Sequence, residues 1–190
     1  MKFSSYEIRE LLVAWIAISI AFAILFSGLG GLLTSSFLAY LFISGLTVGI
    51  GFLLHELAHK YLAQRYGCWA EFRSDKKMLL VMIALSFFGF IFAAPGAVVI
   101  HGLVDRSKHG KISAVGPLTN IILAFLFFLF GSFGFFSSFF FYGFRINAWL
   151  GLFNLLPFWQ LDGVKVLQWH KGIYFTLLIL AGLLTFASGL

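Results

Sequence analysis

The chain has 190 residues, 61% of them hydrophobic and only 11% charged, with a mean hydropathy of +1.01. A soluble domain is nearer half apolar and a quarter charged, so the composition excludes an ordinary soluble enzyme and predicts an all-α polytopic membrane protein, a single domain over residues 1–190. The net charge of +6 does not call for nucleic acid: no long basic run interleaved with aromatics accompanies it, and basic residues in short loops set membrane orientation instead.

Residues 1–10 are polar and mixed in charge and read as an interfacial lead-in. Glu7, Arg9 and Glu10 precede the first apolar run without a clean small-residue cleavage site after it, so that run is a retained helix rather than a signal peptide. Hydropathy predicts a six-span helical bundle, with spans over residues 11–33, 37–62, 78–94, 112–130, 139–161 and 173–188. The second span carries Gly45 and Gly49 a helical turn apart. That is either a face for close helix approach or a pair tolerated anywhere in a membrane helix. Arg65, Arg73, Lys76 and Lys77, then Arg106, Lys108 and Lys111, then Lys165 and Lys171 assign their loops to the cytoplasm. Arg145 alone falls near the outer face.

Between the third and fourth spans the pattern changes. Pro95 and Gly96 stop a helix, and Val98, Val99 and Ile100 favour extended chain, so a short extended or β segment is expected near residues 95–104. Ten extended residues cover about 33 Å, enough to return the chain to the cytoplasmic side. Non-helical backbone at membrane depth must be buried in protein or face water. This segment is therefore a cleft wall, or else a short loop after a shallow re-entrant helix.

The chemistry is concentrated in His55, Glu56 and His59. Residues four apart share a helix face, so His55 and His59 can turn two imidazoles toward one zinc ion, with the Glu56 carboxylate beside them as a base. Two histidines and a glutamate at bilayer depth cost several kcal/mol unless paired or metal-bound. Catalytic zinc takes three protein ligands and leaves one position open. Asp162 is the only acidic residue after Asp105, and the single Cys68 excludes a cysteine-rich site, so Asp162 is the candidate third ligand. It could instead cap a following helix or pair with Lys165. Lys60 and Lys165 mark the cytoplasmic ends of the two spans, which sets His55, His59 and Asp162 within about 8 Å of one membrane face at 1.5 Å per residue. His101, His109 and His170 read as loop or interfacial residues.

These residues, with Gly116, Pro117 and Asn120 and then Asn154, Pro157, Leu161 and Gly163, resemble the site-2 protease family of intramembrane zinc metalloproteases. The short form without PDZ-like or CBS-like segments is similar to archaeal members. The resemblance covers roughly residues 37–165, in order. It implies one Zn2+ per chain held by His55, His59 and Asp162, with Glu56 as the catalytic glutamate. It implies that Asn154 helps hold the substrate carbonyl, and that Gly96, Ala97, Val98, Val99 and Ile100 form an edge strand pairing with the substrate. The expected partners are a transmembrane protein substrate and the lipid bilayer, with no nucleic acid. The expected location is the cell membrane, with the active site near the cytoplasmic face. A metal-binding transporter or channel is the rival from another class, although no second chain of polar residues crosses the spans. An inactive relative acting as a binding module is a third reading, against which intact Glu56 speaks.

Overall fold

A chain this apolar satisfies its backbone internally, and most of it does so as helix. The computed structural model describes residues 1–91, 95–134 and 137–189. The chain divides into two units, Met1–Leu53 with Glu71–Val99, and Leu54–Ala70 with Ile100–Leu190.

In the first unit, α1 (Ser5–Gly31) opens on Ser4, whose Oγ accepts the Glu7 backbone N–H at 3.0 Å. Gly28, at φ 61°, breaks it near its end. The expected interfacial lead-in is thus already helical, and Glu7 and Glu10 are buried rather than solvated. Next come α2 (Ser35–Ser44), a π-helical turn at Gly45–Gly49 and the start of α3 (Ile50–Arg65), as one continuous helical run. The glycine pair is a close-approach face. Trp15 Nε1 donates to the Gly45 carbonyl at 3.0 Å, in the turn where the wider π pattern disturbs the regular ladder. A Cβ on Gly49 would lie 2.5 Å from Trp15 Cδ1, so only glycine admits the indole.

Strand β1 (Trp69–Ser74) pairs with β2 (Gly96–His101). The expected extended segment is β2; its partner lies in what the sequence reading took for a basic loop. Asp75 N–H donates to the Pro95 carbonyl at 3.0 Å, and the Trp69 and His101 rings meet at 5.0 Å. Pairing of 75 with 95 and 69 with 101 is antiparallel and sets Phe72 opposite Val98 in a non-hydrogen-bonded pair. Their backbone groups therefore point away from the partner strand. On β1 side chains meet that outward edge: Phe72 N–H donates to Glu7 Oε1 at 2.9 Å and the Ala70 carbonyl accepts from Lys60 Nζ at 3.0 Å, while Ser4 Oγ and Ser74 Oγ donate to the side chains of Glu71 and Glu10. On β2 no second strand follows, among the described residues.

Helix α4 (Lys76–Ser86) is capped by Asp75, which accepts from Lys77 and Met78 N–H at 3.0 and 3.1 Å. Its 11 residues rise about 16 Å, roughly half of a hydrocarbon core. The expected third span, 78–94, is accordingly helical only to Ser86, and a turn follows at Gly89, φ 78°. Residues 92–94 of that expected span lie outside the described residues. Leu79 and Met82 of α4 are buried, as are Ala14, Ala17, Ile18, Ala21 and Phe22 of α1, and the two helices pack together.

The second unit holds the rest of α3, then α5 (Arg106–Gly131), α6 (Ser137–Asn154), α7 (Asp162–Trp169) and α8 (Lys171–Ala187). Helix α5 lies against α6, α7 and α8, around a core that includes Ala114, Ile121, Leu155, Val166, Tyr174 and Leu177. Two boundary expectations are corrected here. Lys60 does not end its helix: α3 continues to Arg65, and buried Lys60 donates from Nζ to the Ala70 carbonyl at 3.0 Å. The expected fifth span, 139–161, ends at Asn154. Pro157 cannot donate to a helical ladder, and the chain turns through Trp159 at φ 54°.

Among the described residues three helical runs are long and apolar enough to cross a bilayer, Ser5–Gly31, Ser35–Arg65 and Arg106–Gly131, with Lys171–Ala187 a shorter apolar helix. This is a membrane protein in which three candidate spans stand where six were expected.

The Glu7 carboxylate gives the first testable consequence. Glu7→Ala strips the acceptor from a buried backbone N–H and should lower stability by about 1–3 kcal/mol, whereas Glu7→Gln, which keeps an oxygen there, should lose less. Unfolding of purified protein in detergent measures both.

Candidate metal centre

Helix α3 presents His55 and His59 one turn apart, and both are buried. Asp162 comes from the first turn of α7. The structure brings these three side chains together: His55 Nε2 and His59 Nε2 are 3.0 Å apart, and Asp162 Oδ2 is 3.3 Å from the first and 3.1 Å from the second. They are the one group of three or more His, Cys, Asp or Glu side chains placed to hold a metal ion, among the described residues.

Asp162 arrives differently from the way the spans suggested. It does not end α6; it begins a separate short helix after the Pro157 turn. Gly163 makes this possible, because a Cβ there would overlap the Leu155 backbone and hold α7 away from the turn. Of the two rival roles for Asp162, the ion pair is present at the limit of reach, with Oδ1 4.0 Å from Lys165 Nζ, while the cap is not: Leu161 holds the N-cap position without a side-chain cap bond, and Asp162 Oδ2 faces the imidazoles.

The outer ring nitrogens decide what the inner ones offer. His59 Nδ1 is 2.6 Å from the Ile112 carbonyl, which can only accept, so Nδ1 carries the proton. His55 Nδ1 is 2.6 Å from Asn120 Oδ1. Both Nε2 atoms are then lone-pair donors, facing each other and a carboxylate oxygen. Three lone pairs at this spacing repel unless a cation sits among them. Ligands about 2.0–2.1 Å from a tetrahedral ion stand about 3.3 Å apart, close to what is observed.

In the metal-free protein a proton on His59 can take that cation's place: burial pushes the Asp162 carboxyl up, but the charge of a protonated His59 beside it outweighs that and holds the carboxyl well below the usual carboxylate range.

The space for an ion is guarded by Gly116 of α5. A Cβ there would lie 2.6 Å from His55 Nε2 and 2.5 Å from His59 Cε1. Donor set, spacing and this Cβ-free wall all fit zinc.

The remaining candidates are placed as follows. Glu56 is buried next to His55 on α3. Asn154 is half-buried at the end of α6, its Nδ2 donating to the Leu150 carbonyl at 2.9 Å. Gly96, Ala97, Val98, Val99 and Ile100 lie in β2. His101 stacks near Trp69, His109 lies in α5 and His170 caps α8 by accepting the Ile173 N–H, so none joins the triad. Sequence reasoning missed Asn147, buried on α6 and bonded to Asn120 at 3.1 Å. Its signal was available: an amide in an apolar helix, two turns before Asn154 and on the same face.

Gly116→Ala should reduce bound zinc at least tenfold in metal analysis of the purified membrane protein, with little change in helix content by circular dichroism. Unchanged zinc would mean that α5 does not wall the ion.

No protein-family model matches the chain, and no solved structure matches it. Curated relatives do. "Putative zinc metalloprotease MJ0611" of Methanocaldococcus jannaschii is 39% identical over 179 residues, covering 91% of this chain and 89% of its own. "Putative zinc metalloprotease YwhC" of Bacillus subtilis is 31% identical over 150 residues, 65% of this chain and 66% of its own. "Zinc metalloprotease MJ0392" of Methanocaldococcus jannaschii is 27% identical over 179 residues, 86% of this chain but 45% of its own. With a two-histidine, one-carboxylate centre in place and a relative similar over nearly its whole length, the chain belongs to the zinc metalloprotease family.

Proposed function

We propose that this protein is an intramembrane zinc metalloprotease of the site-2 protease type, a multi-pass protein of the cell membrane that hydrolyses a peptide bond within or beside a transmembrane helix of a membrane-protein substrate. The observation that carries this reading is the meeting of His55, His59 and Asp162 around room for one cation, in a chain of membrane-spanning apolarity. His55, His59 and Asp162 hold one zinc ion per chain. Bound zinc supplies Lewis acidity toward the scissile carbonyl and toward the attacking water.

Glu56, next to His55 and buried, is the general base. It takes the proton from the attacking water and delivers it to the leaving amine. The Asn154 amide donates to the carbonyl oxygen as negative charge develops there. A substrate helix hides its carbonyls in its own ladder and must open before it can be cut. Gly96, Val98 and Ile100, on the outward edge of β2, replace those lost bonds by pairing with the opened chain. The basic residues between α3 and α5 support a centre near the cytoplasmic face, with water reaching it from that side.

Glu56→Gln should keep zinc near one ion per chain and lower cleavage of a reconstituted transmembrane substrate by about 10²–10⁴-fold. Full cleavage by that variant would remove Glu56 from the chemistry. Metal flux in sealed liposomes, with no cleavage by the parent protein, would favour a transporter instead.

The strand is tested separately. Val98→Pro deletes an outward N–H and should impair cleavage while leaving zinc content intact. Equal activity would exclude pairing at β2.

A further inference from the structure

We propose that the groove between the adjoining ends of α5 and α6 holds one phospholipid, with an acyl chain among its phenylalanines and the lipid phosphate on Arg145. Such a site is separate from the metal centre and does not depend on its chemistry.

A cavity and a charge meet at one place. Where α5 ends and α6 begins, the two helices leave a cavity of about 450 Å³ between them. Pockets for small ligands run to about 300–1,000 Å³. Phe127 and Phe128 of α5 and Phe140, Phe141 and Phe144 of α6 supply most of the lining. The walls pack on one another: the Phe128 and Phe144 rings stand 5.3 Å apart and the Phe127 and Phe140 rings 6.2 Å apart. A Cβ on Gly143 would lie 2.5 Å from Phe127 Cε1, so the helices close up there. Phe128 and Phe141 stay exposed. At a diameter of about 10–12 Å, a helix would fill this volume in a single turn. A hydrocarbon chain can lie along it for many methylenes.

The charge is Arg145, half-buried on α6. Neither α5 nor α6 contains an Asp or Glu. Among the described residues no ion pair or hydrogen bond reaches the Arg145 guanidinium. Its contact is the Phe141 ring, with Cζ 5.2 Å from the centroid. Side chains on a helix lean toward its N-terminus, so the guanidinium lies back over the preceding turn, at the height of a ring that lines the groove. Arginine stays charged, and a charge at membrane depth needs a partner or water. An aromatic face meets only part of that need. Arg145 also lies at the end of α5 remote from Lys108 and Lys111, so it is not one of the cations that set orientation. A phosphodiester is the anion every phospholipid bilayer supplies, and an arginine fork binds it through paired hydrogen bonds. One ligand, anionic at its head and apolar along its tail, satisfies cation and groove together.

Native mass spectrometry of the delipidated protein, given dioleoyl phosphatidylglycerol, tests this. The parent should hold one lipid per chain. Arg145→Gln should weaken binding about tenfold or more, as loss of hydrogen bonds to a charged group does. Arg145→Lys, which keeps the charge, should lose less. Ser138 lines the groove, so Ser138→Trp should crowd the chain out while leaving Arg145 in place. Zinc content and helix content should match the parent in all three. Dioleoylglycerol, which lacks the phosphate, should compete poorly, and inorganic phosphate, which lacks a chain, should displace nothing.

Parent-like binding in Arg145→Gln would overturn the proposal by removing the phosphate contact, and parent-like binding in Ser138→Trp by removing the chain from the groove. Equal competition by dioleoylglycerol, or displacement by inorganic phosphate alone, would overturn it too. So would a peptide retained by the parent in place of lipid, which would give the groove to a substrate helix. Should Ser138→Trp lose helix content, the comparison of Arg145→Gln with Arg145→Lys decides.

Discussion

Two imidazole nitrogens and a carboxylate oxygen, all within 3.3 Å of one another, can coexist in so apolar a chain only around a positive charge. Much of the second unit follows from meeting that condition. Helix α3 must turn both histidines to one side. Helix α5 must pass with a glycine where any side chain would fill the space for the ion. The chain after α6 must break, reverse and start α7 so that a carboxylate arrives beside the rings. A lone buried charge would cost several kcal/mol, so the Asp162 carboxylate is stable there only with a positive charge beside it, whether an ion or a protonated imidazole.

The two histidines are aimed by different means. His59 leans on the Ile112 carbonyl, part of a helix backbone and unable to rotate. His55 leans on the Asn120 side chain, which bonds in turn to Asn147, and Asn147 ends on another helix carbonyl, Gly143. Both routes end at backbone, the one acceptor that folding fixes and no rotamer change can withdraw. Ligands with a locked outer nitrogen keep their tautomer before metal arrives, so less has to be reorganised when it binds.

The meeting of His55, His59 and Asp162 was legible in the sequence because it obeys short-range rules: four-residue spacing on a helix, and a scarce carboxylate in a chain nearly free of them. The strand β2 was legible from Pro95, Gly96 and three β-branched residues. What escaped were features set by long-range partners. Strand β1 reads as part of a basic loop from the lysines and arginines around it, although its pairing partner lies beyond α4, and residues 1–10 read as a lead-in because the partners of Glu7 and Glu10 lie some 65 residues further on. Lys60 was misread as a membrane-face marker for the same reason: its ammonium is held by a carbonyl of β1. Hydropathy could not separate α6 from α7 either, since the turn between them is as apolar as the helices. There Pro157 was the better guide than the average.

The sheet carries an asymmetry that hydropathy cannot express. In an antiparallel pair of strands each outer edge presents a row of backbone donors and acceptors, which in an apolar setting must be met or must meet something that comes and goes. On β1 the chain meets them itself, with the Glu7 carboxylate on Phe72 N–H and the Lys60 ammonium on the Ala70 carbonyl. Charged side chains suit a permanent seal, because an ion in that position is stable only while its partner stays. On β2 the sequence supplies glycine, alanine, two valines and an isoleucine before His101, whose ring lies near Trp69. Among the described residues the edge met by side chains is that of β1, and no further strand lies on β2. Strand addition gains its affinity from main-chain bonds, which every peptide offers, and its selectivity from side-chain fit. An enzyme using that edge would thus recognise a substrate's readiness to leave the helical state more than any particular residue at the cut.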